Sequence, residues 1–315
     1  MIGENEFVFK YANHIPHCKF LKKERIILKF ISTQPDTYKQ KYILLGCGEH
    51  LICIDCGIAY SKRFYYPLVN LTETLFLAFP KLEIAHIVLT IPRNYPNLTE
   101  SPKSTVTKLF KLARTFLNRF FPDTGGLIVY HNWSSKHPEF FHPHFHCIIF
   151  GLKTSKTLTH FYYEVSQLRE FWSKLLNLST QTDIYIQYFY QRHLRKIKFL
   201  YRYVTRSPIL DYTKTKNPIL SSAFLRLVYQ LKKFTRFRYF GWMVPSKKHK
   251  FLLSIGIKEY HYHRIKQWSF AGFYKAYYLE DEDAWWTDDD NLIPNKILLD
   301  MRLLIPYHIY VLNGG

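Results

Sequence analysis

The 315-residue chain is 47% hydrophobic and carries 44 Lys and Arg against 24 Asp and Glu, a net charge of +20. That apolar share supports a sizeable core and does not suggest a disordered chain. The charge attracts a polyanion, either nucleic acid or an anionic membrane surface, and no apolar run approaches the roughly 20 residues that a membrane helix needs. Met1 to Lys10 includes Glu4 and Glu6 and lacks the apolar core of a signal peptide. The expectation is a cytoplasmic protein with a nucleic-acid partner and no membrane association.

The first ~70 residues hold few long periodic segments and four of the five cysteines, Cys18, Cys47, Cys53 and Cys56; the fifth is Cys147. An odd number with three inside ten positions is a poor disulfide framework and reads as a metal cluster in a reducing compartment. The C-x2-C spacing of Cys53 and Cys56 suits Zn²⁺, with Cys47 upstream. A tetrahedral site needs a fourth ligand, for which Cys18 is the first choice and His17 and His14 are alternatives. Buried thiols without metal are the plainer reading. Residues 1–70 are therefore expected to form a zinc module.

A strand follows at Ile84 to Ile91, stopped by Pro92. A helix runs from about Lys103 to Phe120, with Val106, Leu109, Phe110, Ala113, Phe116, Leu117 and Phe120 on one face. After Gly125-Gly126, GLIVYH and HFHCIIF read as two more strands. Leu158, Phe161, Val165, Leu168, Phe171 and Leu175 form the stripe of a second amphipathic helix. The strand DIYIQYF and a third helix, from about Arg192 to Arg206, complete the series. Strand, helix, strand, strand, helix, strand is the order of a split α+β sandwich on an antiparallel sheet. That region is assigned to residues 71–240. Residues 241–315 form an extension of unassigned role, in whose neighbourhood RFRYFGWMV and KFLLSIGI are candidate strands.

Side chains at i and i+2 of a strand share a face. In Phe141-His142-Pro143-His144-Phe145-His146, His144 and His146 therefore project together. Pro143 places His142 at or before the strand start. A hairpin brings His131, at the end of GLIVYH, alongside as a third ligand. Neighbouring imidazoles on a rigid sheet suit a divalent ion. A structural histidine pair is the alternative.

At about 100° per residue, the third helix gathers Leu194, Ile197, Tyr201 and Val204 on one side. Arg195, Phe199, Arg202, Tyr203 and Arg206 fall on the other. Tyr201 thus reads as core and Tyr203 as presented among arginines. A phenol beside a metal and guanidinium groups is a candidate nucleophile for a phosphodiester. As one of 25 tyrosines it could equally stack on bases or pack on the sheet.

At these residues the chain resembles the HUH endonucleases, the superfamily of rolling-circle replication initiators and single-strand insertion-sequence transposases. His144-Phe145-His146 matches the His-hydrophobe-His signature. IVLTIP at Ile87 to Pro92 looks like the first-strand motif, and Phe199 to Arg206 looks like the tyrosine helix. Cys53-Ile54-Asp55-Cys56 and Ala59 to Arg63 are similar to the N-terminal cysteine module of phage-type initiators and of these transposases. Gly241 to Lys250 is similar to the segment that follows the nuclease core in the transposases. Two-tyrosine members carry Tyr where Phe199 stands, so this chain resembles a single-tyrosine type. Many members place Glu or Gln where His131 stands.

The resemblance implies an HUH nuclease fold and catalytic Mg²⁺ or Mn²⁺ on His144, His146 and His131. It implies that Tyr203 attacks single-stranded DNA, leaving a 5′-phosphotyrosine and a 3′-hydroxyl, with Arg202 or Arg206 neutralising phosphate charge. Lys62, Arg63 and Arg195 are candidate DNA contacts. Host replication machinery is a further candidate partner. No phosphate-binding loop of the Walker type is present, so no fused helicase is expected. A rolling-circle initiator is preferred over a transposase because the chain is short. The competing readings are a metal-dependent nuclease that uses water, and a non-enzymatic zinc-containing regulator that binds nucleic acid.

Overall fold

The structure is a computed structural model and describes residues 24–32, 40–44, 54–134, 140–208, 231, 234–262, 268–279, 282, 284–288, 292–294, 298–299 and 307–312. Two strands come first, β1 (Glu24–Ser32) and β2 (Gln40–Leu44), then a long helix, α1 (Ile54–Ala78). The central series is β3 (Ile84–Thr90), α2 (Pro102–Phe120), β4 (Gly125–Trp133), β5 (Phe141–Phe150), α3 (Val165–Leu175), β6 (Ile184–Phe189) and α4 (Leu194–Thr205). A single 3₁₀ turn, Gln191–His193, leads into α4. Next come β7 (Phe237–Gly241), α5 (Pro245–Ser254), β8 (Ile257–Tyr262) and β9 (Trp268–Leu279). Short strands end the series: β10 (Ala284–Thr287), β11 (Leu292–Pro294), β12 (Leu298–Leu299) and β13 (Tyr307–Leu312).

The chain is mixed α+β, as its patterning predicts. Its central sheet has the order β6-β3-β5-β4-β7, and every neighbouring pair is antiparallel. Helices cover both faces. On one face Ala85, Ile87, Leu89, Tyr130, Phe145 and Cys147 pack with Val106, Leu109 and Phe116 of α2 and with Leu168 and Trp172 of α3. On the other, Leu127, Val129, Ile148 and Phe150 pack with Leu68, Leu71 and Leu75 of α1 and with Ile197, Tyr201 and Val204 of α4. Burial on both faces explains why these strands read as apolar runs and not as clean alternation. Each fully buried Leu, Ile or Phe contributes on the order of 1.5–3 kcal/mol.

Several elements depart from expectation. Helix α3 begins only at Val165, so Leu158 and Phe161 precede it. Leu158 instead bridges Leu152, and the Phe161 ring packs 5.0 Å from that of Phe121. Two apolar residues in a loop, at helical spacing from Val165, imitated an extra turn of the helical stripe. β5 begins at Phe141, so His142 sits at the strand start and the strand runs on through Pro143. In KFLLSIGI, Phe251 and Leu252 belong to α5, which starts at Pro245, and only Ile257 enters a strand. Gly256 adopts φ +79 at this helix-to-strand junction, a conformation that favours glycine. In RFRYFGWMV the strand ends at Gly241, and Trp242 and Met243 turn into the core.

Helix α1 is the main addition. The position between residues 70 and 71, expected to separate two modules, falls inside it. Position 240 falls inside β7. Strand β1 pairs antiparallel with β9, joining the first and last segments of the chain in one sheet of order β11-β10-β9-β1-β2-β12.

Candidate functional site

The registers bring the histidines together. His131 on β4 sits opposite His144 on β5, and Val129 sits opposite His146. Paired residues in an antiparallel ladder share a face, so His131, His144 and His146 project towards α1 and α4. All three are buried, and one ring nitrogen from each lies within 4.8 Å of the others.

Each ring is held by its remaining nitrogen. His131 Nε2–H donates to the Val204 carbonyl of α4 at 2.9 Å, and its Nδ1 has no hydrogen-bond partner among the described residues. His144 Nδ1–H donates to the His142 carbonyl at 2.7 Å. His146 Nδ1 lies 2.9 Å from Nε2 of a fourth histidine, His86 on β3. The Nε2 atoms of His144 and His146 face each other at 3.1 Å. Two proton arrangements are open to the neutral rings. In one, His86 donates to His146 and His146 donates to His144. In the other, His146 Nδ1–H donates to His86, and both Nε2 lone pairs point at one place. The second arrangement repels itself unless a cation lies between. Two imidazole nitrogens held about 2.1 Å from one ion sit about 3 Å apart when they are near right angles. Hydrogen-bonding the far nitrogen of each ligand is how metal-binding histidines are oriented. The donor set therefore fits a divalent ion.

Burial keeps these rings neutral. It depresses His86 to about 4 and His144 to about 3, the latter also under the influence of Arg206. His131 and His146 fall well below their usual value, first through desolvation, then through Arg206 and Arg236 for His131 and through the crowding of His131, His144 and His86 for His146. Neutral imidazole is the form that binds metal.

The tyrosine helix lies over this cluster. Ile197, Tyr201 and Val204 face inward, and Tyr201 is fully buried with its hydroxyl 2.8 Å from Thr72 Oγ1 of α1. Tyr203 is half-buried, with its ring centre 5.5 Å from that of His146 and 6.3 Å from that of His131. Arg206 stacks its guanidinium 3.8 Å from the Tyr203 ring centre and donates to the Tyr203 carbonyl. Arg202 does not join them. It is exposed, with its guanidinium 5.9 Å from the Tyr65 ring of α1. One residue earlier on the helix means about 100° of rotation.

Arg195 is exposed and lines a pocket of about 660 Å³ that also reaches His86 and Tyr203. Lys62 is half-buried and Arg63 exposed on α1, and Arg63 lies among Tyr60 and Tyr239. Cys56 is buried in the first turn of α1, whereas Cys18, Cys47 and Cys53, with His14 and His17, lie outside the described residues. A further pocket of about 600 Å³, lined by Thr124, Trp242, Lys247 and Lys250, contains neither histidine nor tyrosine.

Sequence patterning missed two groups. His86 sits within an apolar run, but it shares the strand period of Val88 and Thr90, which pair with His146 and His144. Arg236 is fully buried, with Nη2 donating to the Arg206 carbonyl at 3.2 Å and its guanidinium 5.2 Å from the Trp133 ring. No local pattern marks it. Among the described residues no helix is long and apolar enough to cross a membrane.

Searched against protein-family models, curated proteins and solved structures, the chain matches none.

Proposed function

We propose that this chain is an HUH-type endonuclease that cuts and rejoins single-stranded DNA through Tyr203. The observation that carries the reading is the Tyr203 ring 5.5 Å from the His146 ring, over three histidines whose ring nitrogens converge. A Mg²⁺ or Mn²⁺ ion on His131, His144 and His146 would supply charge to polarise a phosphodiester. The protein residues do the rest. The Tyr203 oxygen forms a bond to phosphorus as the bond to the 3′-oxygen breaks. The phenolic proton ends on the released 3′-hydroxyl, so no ATP or redox partner is required. Arg206, stacked on Tyr203, is placed to offset charge on the phosphate. Because the phosphotyrosine retains the ester bond, the 3′-hydroxyl can reverse the step or prime synthesis. A replication initiator of a mobile element is the preferred role and a single-strand transposase the alternative, in host cytoplasm in either case.

One observation favours a different reading. At 0%, 4% and 3% exposure, His131, His144 and His146 form a closed site, and closed sites are typical of structural ions. A nucleic-acid-binding regulator would then replace the enzyme. Nicking of single-stranded DNA with added Mn²⁺ separates the two. The His144→Ala, His146→Ala double variant is expected to remain folded and lose metal-dependent nicking. Full activity in that variant would refute the endonuclease reading.

A further inference from the structure

The pocket beside Tyr203 has more structure than catalysis at a phosphate requires. Strand β6 is an edge strand, and its pleat turns Tyr185, Gln187 and Phe189 to the α4 side. Helix α4 contributes Arg195, Phe199 and Tyr203 to the same pocket. Two large aromatics here stay in solvent: Tyr185 is 55% exposed and Phe199 71%. Apolar surface left open around a concavity marks a binding site more often than a packing fault. The Tyr185 hydroxyl donates to Gln187 Oε1 at 3.1 Å, which orients the amide and leaves its NH₂ as donor. Gln187 pairs in register with His86, the histidine that contacts His146.

We propose that this pocket holds one nucleobase of the bound strand, with Tyr185 and Phe199 against its faces and the Gln187 amide at its edge. The inference rests on the single-stranded DNA reading above and names what that site recognises. Stacking on aromatic side chains is open to every base, and an oriented amide reads one donor and acceptor pattern. Arg195 and Lys196, on the pocket lining, supply the positive charge that a flanking phosphate requires. The observations favour a base over a purely apolar guest because the lining combines aromatic surface, a held amide and two cations.

Binding of a fluorescent oligodeoxythymidylate and of an abasic strand of equal length tests this. The intact chain is expected to prefer the base-bearing strand by roughly tenfold. The Tyr185→Ala, Phe199→Ala double variant changes two exposed side chains and should retain the fold. It is expected to bind both strands alike while keeping the salt dependence set by phosphate contacts. A variant that keeps the preference overturns the subsite while leaving the endonuclease reading intact. Absence of binding to either strand by the intact chain overturns both. Thymidine monophosphate at the oligonucleotide concentration should not compete. Competition would assign the pocket to a free nucleotide and overturn the strand-held base.

Discussion

His146 Nδ1 lies 2.9 Å from His86 Nε2. When His86 accepts this hydrogen bond, the proton of His146 sits on Nδ1 and the Nε2 lone pair faces that of His144. In that arrangement His86 holds His146 in the tautomer a metal would need, and removing the acceptor should weaken the proposed site. His86→Phe is expected to lower Mn²⁺ affinity by roughly 10- to 100-fold, as for other residues that orient ligands. His86→Gln keeps an acceptor and should recover part of the loss. Calorimetric titration with Mn²⁺ measures both, and unchanged affinity in His86→Phe would remove His86 from the account.

Arg206 is the cation placed against Tyr203. Arg206→Ala should slow nicking by about 100-fold, the scale seen when one preorganised donor is lost. Arg202→Ala, on the α1 side of the helix, should have far less effect. Single-turnover nicking rates decide between them, and the reverse order would mean that the helix turns its other flank to DNA.

Glu83 is buried just before β3, with Oε1 lacking a partner among the described residues and Oε2 3.4 Å from His160 Nδ1. Burial raises its carboxyl above the usual value, against the pull of His160. A raised folded-state pKa stabilises the protein below the unfolded value of 4.5, and that contribution is lost as pH rises through the folded value. Glu83→Gln cannot ionise and should therefore raise Tm at pH 7, with the difference shrinking towards pH 4. A lower Tm at pH 7 would mean that the contact with His160 outweighs desolvation.

The convergence of His131, His144 and His146 was legible because strand periodicity and one hairpin suffice to predict it. His86 was not, since its role depends on the register between β3 and β5, which no local pattern encodes. Tyr201 and Tyr203 were separable because helical rotation puts them on different sides, and Tyr201 is indeed the one bonded to Thr72. Arg202 and Arg206 were grouped by the same rotation. They separate because α4 ends at Thr205 and Arg206 is its extended C-cap, which folds back onto Tyr203, whereas Arg202 stays on the helix near Tyr65 of α1. Helix α1 itself was obscured by Pro67 and a run of tyrosines that breaks simple apolar spacing. The apolar FLL of α5 satisfied a strand template as well as a helical one. Pro245 at the first turn and Gly256 after the end were the signals that distinguished them.

Tyr203, not Tyr201, is the proposed nucleophile. The decisive measurement is the covalent protein–DNA adduct on a denaturing gel, formed with single-stranded DNA and Mn²⁺. Tyr203→Phe removes one oxygen from a half-buried residue and should abolish the adduct while leaving fold and DNA binding in place. Tyr201→Phe removes the hydroxyl bonded to Thr72, should cost about 1 kcal/mol of stability, and should keep the adduct. An adduct that persists in Tyr203→Phe, or disappears only in Tyr201→Phe, would contradict the account.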